Sequence, residues 1–382
     1  MSWKEDKDVA EKRLEFVKLV QDGRYTVTEA CERFGIARSN GYKWIRRYLS
    51  GGMDALKDLR RAPKSSPQRT SDEFEALILE ERDRHRTWGP RKLLAVLTRD
   101  YPDLEGWPAA STVYEILKRH GRIQSRRRGR RHAHPGRPYV EMNLPNSVWS
   151  ADYKGQFRLG NGRLCYPLTV ADGYSRCLLA CEALSSTSLE PARRVFVKLF
   201  KEYGLPEASL TDNGVPFASQ GLGGLTRLTV WFLRLGIRLL RTEPASPEQN
   251  ARHERMHRTL DEVLVPPQQT HRAQQRVFDE FRHEYNEVRP HEGLAMKTPS
   301  AFYQPSPRPY PPRLPPVEYP SNFVVRLVSS SGSIRWHAAQ IFVGSALAGQ
   351  HVGLEETGDG IWSLYFATAL LGKLDVRTGT VK

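Results

Sequence analysis

Val148-Trp149-Ser150-Ala151-Asp152-Tyr153-Lys154-Gly155-Gln156-Phe157 alternates with the period of two that a β-strand requires. Gly160-Asn161-Gly162 follows as a hairpin turn, and residues 164–170 and 176–183 read as two further strands joined around Asp172-Gly173. A helix comes next, with Ala192, Val195, Phe196, Leu199, Phe200 and Tyr203 on one face and Gly204 closing it. Ala208-Ser209-Leu210-Thr211-Asp212 is a short strand running into the turn Asn213-Gly214. A helix over residues 225–235 and a strand over 237–241 lead to Ser246-Pro247-Glu248-Gln249, a helix start with proline just inside it.

The order βββ-α-β-α-β-α is that of a ribonuclease-H-like domain, in which the first and fourth strands are neighbours. That topology brings together Asp152, in the middle of strand one, and Asp212, at the end of strand four. An aspartate on a central strand is costly to bury unless a cation accompanies it. Asp172 reads instead as the cap of a hairpin turn. The next helix spans Asn250-Ala251-Arg252-His253-Glu254-Arg255-Met256-His257-Arg258-Thr259-Leu260. Met256, Leu260, Val263 and Leu264 form its apolar stripe. At about 100° per residue, Glu254 lies roughly opposite Met256, away from the core that the helix builds. Two readings compete for Glu254. It completes a carboxylate trio that holds divalent metal for phosphodiester chemistry. Alternatively, His253-Glu254-Arg255-Met256-His257 matches the H-E-x-x-H helix of zinc metalloproteases. Arg252, Arg255 and Arg258 crowd the same turns and would repel Zn²⁺, which favours the first reading.

Toward the N-terminus, residues 7–21 read as a helix ended by Gly23, and residues 26–48 have the form of a helix-turn-helix. Thr28 and Ser39 are the expected caps, Gly35 the turn, and Cys31 the small residue where the two helices touch. The second helix carries Lys43, Arg46 and Arg47, as a major-groove reader would. Gly41 inside it is unexpected, since glycine costs a helix about 1 kcal/mol. A basic linker over 51–70 precedes a second helix-turn-helix, whose last helix is capped by Ser111, closed by Gly121 and carries Lys118 and Arg119. Arg126, Arg127, Arg128, Arg130 and Arg131 then form a run without a carboxylate, which predicts an arm laid along phosphates.

Toward the C-terminus, a helix over 268–289 and a proline-dense, extended linker lead to five short strands at regular spacing, which predict a small β-barrel. The expected organisation is multidomain α/β: helix-turn-helix 1–50, linker 51–70, second helix-turn-helix 71–121, Arg-rich linker 122–147, ribonuclease-H-like core 148–303, Pro-rich linker 304–320 and β-barrel 321–382.

The 382 residues carry a formal net charge of +15, which predicts attraction to a polyanion, nucleic acid by default. Four scattered cysteines do not make a disulfide scaffold, and a reducing cytoplasm is the expected setting. Neither a signal peptide nor a run of 18 apolar residues is present, so a membrane partner is not expected.

The three carboxylate motifs carry a resemblance. Trp149-x-x-Asp152, Thr211-Asp212-Asn213-Gly214-x-x-Phe217, and Ser246-Pro247-x-x-Asn250-x-x-x-Glu254-Arg255-x-x-Arg258-Thr259-Leu260 are similar to the catalytic motifs of bacterial insertion-sequence transposases. These belong to the DDE class of the retroviral-integrase superfamily. Tyr285-Asn286-x-x-Arg289-Pro290-His291-Glu292 and Thr298-Pro299 resemble the family's downstream signature, and the likeness spans about residues 12 to 303. Two features depart from the pattern. Ala251 stands where the family often has glycine, and Asp212 and Glu254 are 42 positions apart, with the surplus in Gly221-Leu222-Gly223-Gly224. The resemblance implies two Mg²⁺ ions, replaceable by Mn²⁺, held by Asp152, Asp212 and Glu254. It implies cleavage at the element's ends to leave a 3′-hydroxyl, then attack of that hydroxyl on target DNA. It also implies double-stranded DNA as partner, contacted in addition by Arg255 and Arg258, and a homo-oligomer on that DNA. No nucleotide cofactor is needed. The alternative within this class is a transposase-derived DNA-binding protein without catalysis.

Overall fold

The computed structural model describes residues 9–58, 69–123, 140–242 and 250–381. The chain forms two compact units, residues 1–71 and 72–382. Among the described residues, no helix is long and apolar enough to cross a membrane.

The first unit contains α1 (Val9–Gln21), α2 (Val27–Phe34) and α3 (Arg38–Gly51). Phe16, Val17, Ala30 and Cys31 are its buried centre, with Trp44 and Ile45 packed on them. Thr26, not Thr28, caps α2, in a reciprocal pair with Glu29. Gly35 ends α2 in the left-handed region, at φ 63°. Ser39 is not the cap of α3, which starts after Ala37 without a side-chain cap. Gly41 now has a reason. A Cβ built there would lie 2.6 Å from Cys31 Sγ and 2.9 Å from Phe16 Cζ, so only glycine lets α3 lie this close to α1 and α2. Gly41→Ala is therefore expected to destabilise this unit by about 1–3 kcal/mol, despite the better helix former. Loss of hydrogen-exchange protection across α3 would register it; unchanged protection would show that the contact can yield.

The second unit begins with α4 (Asp72–Arg84), α5 (Pro90–Asp100) and α6 (Ala110–Arg119), packed around Ile78, Trp88, Leu93 and Ile116. Pro90 occupies the first turn of α5. Ser111 is not the cap of α6, which starts after Ala109. These helices rest on residues from the later part of the ribonuclease-H-like segment. His85 Nδ1 lies 3.3 Å from Glu284, Thr87 donates to Glu262 at 2.6 Å, and Val288 packs among their apolar residues.

The central sheet comprises β1 (Val148–Tyr153), β2 (Phe157–Arg158), β3 (Leu164–Asp172), β4 (Leu178–Leu184), β5 (Ala208–Thr211) and β6 (Arg238–Arg241). Across it the strands run β4–β3–β1–β5–β6, with β2 pairing the start of β3. The first three long strands are antiparallel, whereas β1, β5 and β6 are parallel. This is the ribonuclease-H-like arrangement. Helices α7 (Leu189–Tyr203) and α8 (Arg227–Arg234) cover one face, burying Phe196, Phe200, Trp231 and Phe232 against Trp149, Ala151, Leu168 and Val170. Helices α9 (Ala251–Leu260) and α10 (His271–His283) cover the other, placing Met256, Leu260, Phe278 and Phe281 on Cys165, Ala171 and Leu178. Strand alternation thus hands Ser150, Asp152 and Thr169 to the α9 face. Asp172 is fully committed to its turn: it accepts from Asn146 N at 2.7 Å, Ser175 N at 2.8 Å and Ser175 Oγ at 2.6 Å.

The proline-rich segment lies along this core. Ser306 N donates to Tyr203 O and Leu205 N to Arg308 O, each at 2.7 Å. The Arg308 guanidinium reaches Pro206 O at 2.7 Å and Leu235 O at 2.9 Å. Beyond it, β7 (Val324–Leu327), β8 (Ser333–Trp336), β9 (Ala339–Phe342), β10 (His351–Gly358), β11 (Ile361–Phe366), β12 (Ala369–Asp375) and β13 (Thr380–Val381) follow. The antiparallel sheet β13–β12–β11–β10–β7 and the β8–β9 hairpin share one apolar core, forming a small barrel open on one side. Strands β8 and β13 add to the five that the sequence predicts. Leu225, Val230 and Leu233, at and along α8, are part of the same apolar core.

Candidate active site

Strand register explains how two distant aspartates meet. Ala151 of β1 pairs with Thr211 of the parallel β5, so Asp152 and Asp212 follow at matched positions at the same end of two neighbouring central strands. Helix α9 crosses the same face and brings Glu254. Its buried side is His253, Met256, His257 and Leu260, which leaves Glu254 on a flank, half-buried. Asp212 is exposed and accepts from Gly214 N at 3.1 Å.

Asp152 senses both other carboxylates. Burial first, then the charges of Asp212 and Glu254, push the Asp152 carboxyl up to about 7. Lys154, the nearby cation, forms its ion pair with Asp261 at 3.1 Å instead. A half-buried carboxylate beside two others, without an Arg or Lys within ion-pair distance among the described residues, fits a divalent cation. Its oxygen donors suit Mg²⁺ or Mn²⁺.

The two histidines near Glu254 in sequence are both buried under α9, in a cluster with two strand hydroxyls. His253 meets Ser150 Oγ through Nδ1 at 2.8 Å and Thr169 Oγ1 through Nε2 at 2.7 Å. His257 Nε2 meets the same Thr169 Oγ1 at 2.8 Å. Thr169 has one proton and gives it to Asp152 O at 3.0 Å, so both imidazoles donate through Nε2. His253 Nδ1 then accepts from Ser150. His257 Nδ1 is left as a lone pair, 3.8 Å from Asp152 Oδ2. That approach is not an ion pair at neutral pH, because burial, reinforced by Lys154, lowers His257 to about 4. Burial, reinforced by His257, also lowers His253 well below its usual value.

Ligand atoms of Asp152, His253 and His257 all lie within 4.8 Å of one another. Both ring nitrogens of His253 already have hydrogen-bond partners, which counts against the zinc-protease reading, in which both histidines are ligands. His253→Ala is expected to cost roughly 2–4 kcal/mol, because it leaves two buried hydroxyls short of a partner beside a cavity. Chemical denaturation measures this; a loss under about 0.5 kcal/mol would show that the cluster does not hold α9 in place. The spacing 253, 256, 257, 260 is itself a helix-face pattern, and could have revealed the buried histidines.

The remaining predicted contacts scatter. Lys43 and Arg46 are exposed on α3 and Arg47 is half-buried. Lys118 lies 4.0 Å from Glu115, and Arg119 is held by Glu75 at 2.6 Å. Arg255 and Arg258 are exposed on α9. Arg126, Arg127, Arg128, Arg130 and Arg131 lie outside the described residues.

Comparison with known proteins adds to this picture. A helix-turn-helix domain family matches residues 12–64 and a homeodomain-like family residues 40–117. Integrase core domain families match residues 143–247 and 235–299. The C-terminal domain of IS481 family transposases matches residues 323–382. The chain is 27% identical over 246 residues to the uncharacterized 39.2 kDa protein of insertion element IS476 from Xanthomonas euvesicatoria, covering 64% of this chain and 67% of that protein. It is 29% identical over 242 residues to the uncharacterized 31.7 kDa protein of insertion element IS407 from Burkholderia multivorans, covering 62% and 83%. A chain of the simian T-cell lymphotropic virus intasome, solved with PP2A regulatory subunit B56 gamma, is 16% identical, with a TM-score of 0.36 over 74% of this chain and 90% of that one.

Proposed function

We propose, for a chain that belongs to the insertion-sequence transposases with an integrase core, that Asp152, Asp212 and Glu254 are its catalytic residues and that it cuts and rejoins DNA. What carries the proposal is the matched placement of Asp152 and Asp212 beyond the paired residues Ala151 and Thr211, with Glu254 brought alongside and, among the described residues, no Arg or Lys within ion-pair distance of Asp152. Two Mg²⁺ ions held there, or Mn²⁺ in their place, would supply Lewis acidity for exchange of one phosphodiester for another. The protein's own part is positional. Strand β1 fixes Asp152, the turn after β5 presents Asp212, and the buried histidine cluster clamps α9 so that Glu254 stays in reach. The basic face of α3, with Lys43, Arg46 and Arg47, suits a helix in the major groove of the element's ends. Lys118, Arg119, Arg255, Arg258 and the arginine run 126–131 would add phosphate contacts. The substrate is double-stranded DNA, the ends of the element and a target, in the cytoplasm. Joining two ends calls for a homo-oligomer on the DNA.

The test is a joining assay with the full chain, labelled duplexes carrying the element's terminal sequences, and supercoiled plasmid in Mg²⁺. Labelled plasmid is the expected product. Tight binding of the duplexes without cleavage in Mg²⁺ or Mn²⁺ would leave only a DNA-binding protein.

A further inference from the structure

Helix α9 has a third side. Arg252, Arg255 and Thr259 recur at i, i+3 and i+7, on the flank away from Glu254. They border a cavity of about 550 Å³, whose other walls include Lys92 of α5, Arg176 of the β3–β4 turn, and Arg289. Five cations therefore converge on one space, and Glu292 is the acidic side chain near them that is free of a turn. Among the described residues, none of the five lies within ion-pair distance of a carboxylate.

The cavity is built rather than incidental. Arg176 sits at φ 63°, a left-handed backbone that a non-glycine residue seldom adopts. Its guanidinium occupies the place a side chain at Gly293 would take: a Cβ there would lie 2.2 Å from Arg176 Nη2. Arg252 is held by a hydrogen bond from Nη1 to Gly173 O, and Arg289 lies 5.8 Å from the centre of the Trp88 ring. Burial, then Arg289, pushes Lys92 down to about 8. Burial, then Arg252 and Arg255, also lowers Arg176. Lys92 also feels Glu292 and Glu262, but neither is within ion-pair distance of it, and the excess of like charge calls for an anion. The first turn of α9, which borders the same cavity through Asn250 and Ala251, adds favourable N–H dipoles.

We propose that this cavity is a second phosphate site, which takes a backbone phosphate of the DNA strand whose reacting phosphate lies at Asp152, Asp212 and Glu254. The proposal rests on the transposase reading for the identity of that strand. A helix is about 10–12 Å across, so the two phosphates would be a few nucleotides apart on one strand. Gripping the strand on both flanks of α9 fixes its direction across the carboxylates.

The test compares the full wild-type chain with Arg176→Gln, Arg289→Gln and the double variant in EDTA, where no chemistry occurs. Binding of a labelled duplex is followed by anisotropy between about 50 and 200 mM salt. The double variant is expected to lower the slope of log K against log[salt] by about 0.9, one phosphate's worth, while Arg176→Lys keeps it. In thermal melts, millimolar inorganic phosphate should raise the wild-type Tm and leave the double variant unmoved. Without phosphate, the single variants should melt no lower than wild type, since removing a cation relieves repulsion. An unchanged slope overturns the proposal. If phosphate still stabilises the wild type in that case, the cavity takes a free anion rather than DNA. Variants that melt lower with an unchanged slope would make the arginines structural. An unchanged slope with wild-type joining intact sinks the cavity alone; a lowered slope with no joining by wild type sinks the transposase reading alone.

Discussion

Asp152→Asn, Asp212→Asn and Glu254→Gln should each reduce DNA cleavage and joining by at least about a thousandfold, with binding of the element's ends nearly unchanged. Each substitution removes a charged oxygen without altering shape. Cation stabilisation of a phosphoryl transition state is worth several kcal/mol, and about 4 kcal/mol corresponds to three orders of magnitude. Asp152 should be the most sensitive, because it is the most enclosed and feels both other carboxylates. Single-turnover assays in Mg²⁺, run beside gel-shift measurements, separate the two effects. Substantial activity in any one variant would remove that residue from the catalytic set.

The second large effect is on stability, and it needs no substrate. An unfolded Asp152 ionises near 3.8, whereas in the fold it holds its proton up to about 7. Between those values the folded state binds the extra proton, so this group's contribution to stability falls as pH rises from about 4 to about 7, then levels. Three units at about 1.4 kcal/mol each amount to about 4 kcal/mol. His257, lowered to about 4, works in the opposite direction over an overlapping range, gaining stability as pH rises. The wild-type curve alone therefore mixes the two. The difference between metal-free Asp152→Asn and metal-free wild type isolates the aspartate. The variant should gain on wild type from pH 4 to 7 and stay ahead by up to about 4 kcal/mol at pH 8. Added Mg²⁺ should close most of that gap by stabilising wild type alone. A flat difference curve would mean that Asp152 is open to water and ionises normally.

Much of the core was legible because its signals are local. Alternation marked β1, β3 and β5, the 192–203 face marked α7, and turn glycines marked the breaks. The pairing of Asp152 with Asp212 was reachable through topology, since parallel neighbours place equivalent positions side by side. Caps were less legible: Thr26 and Thr28 both stand near the start of α2, and only the reach to Glu29 decides between them. Gly41 looked like a flaw because its reason, Cys31 and Phe16, lies on other helices. The burial of the histidines was less legible, because the two strand hydroxyls that meet their ring nitrogens lie on β1 and β3. The basic cavity was illegible for a stronger reason. Lys92, Arg176 and Arg289 come from three distant stretches, and only folding brings them to one place.

The proline-rich segment bears on how such a chain can change over time. Pinned by Ser306 and Arg308 and followed by a β-domain that shares Leu225, Val230 and Leu233 with α8, it is no neutral seam. A recombination event that joined this core to a foreign C-terminal domain at residue 320 would have to match three apolar side chains as well as the reading frame. Mosaics formed there should misfold unless the donor domain supplies side chains that fit Leu225, Val230 and Leu233. The N-terminal helix-turn-helix is a separate compact unit with its own buried centre.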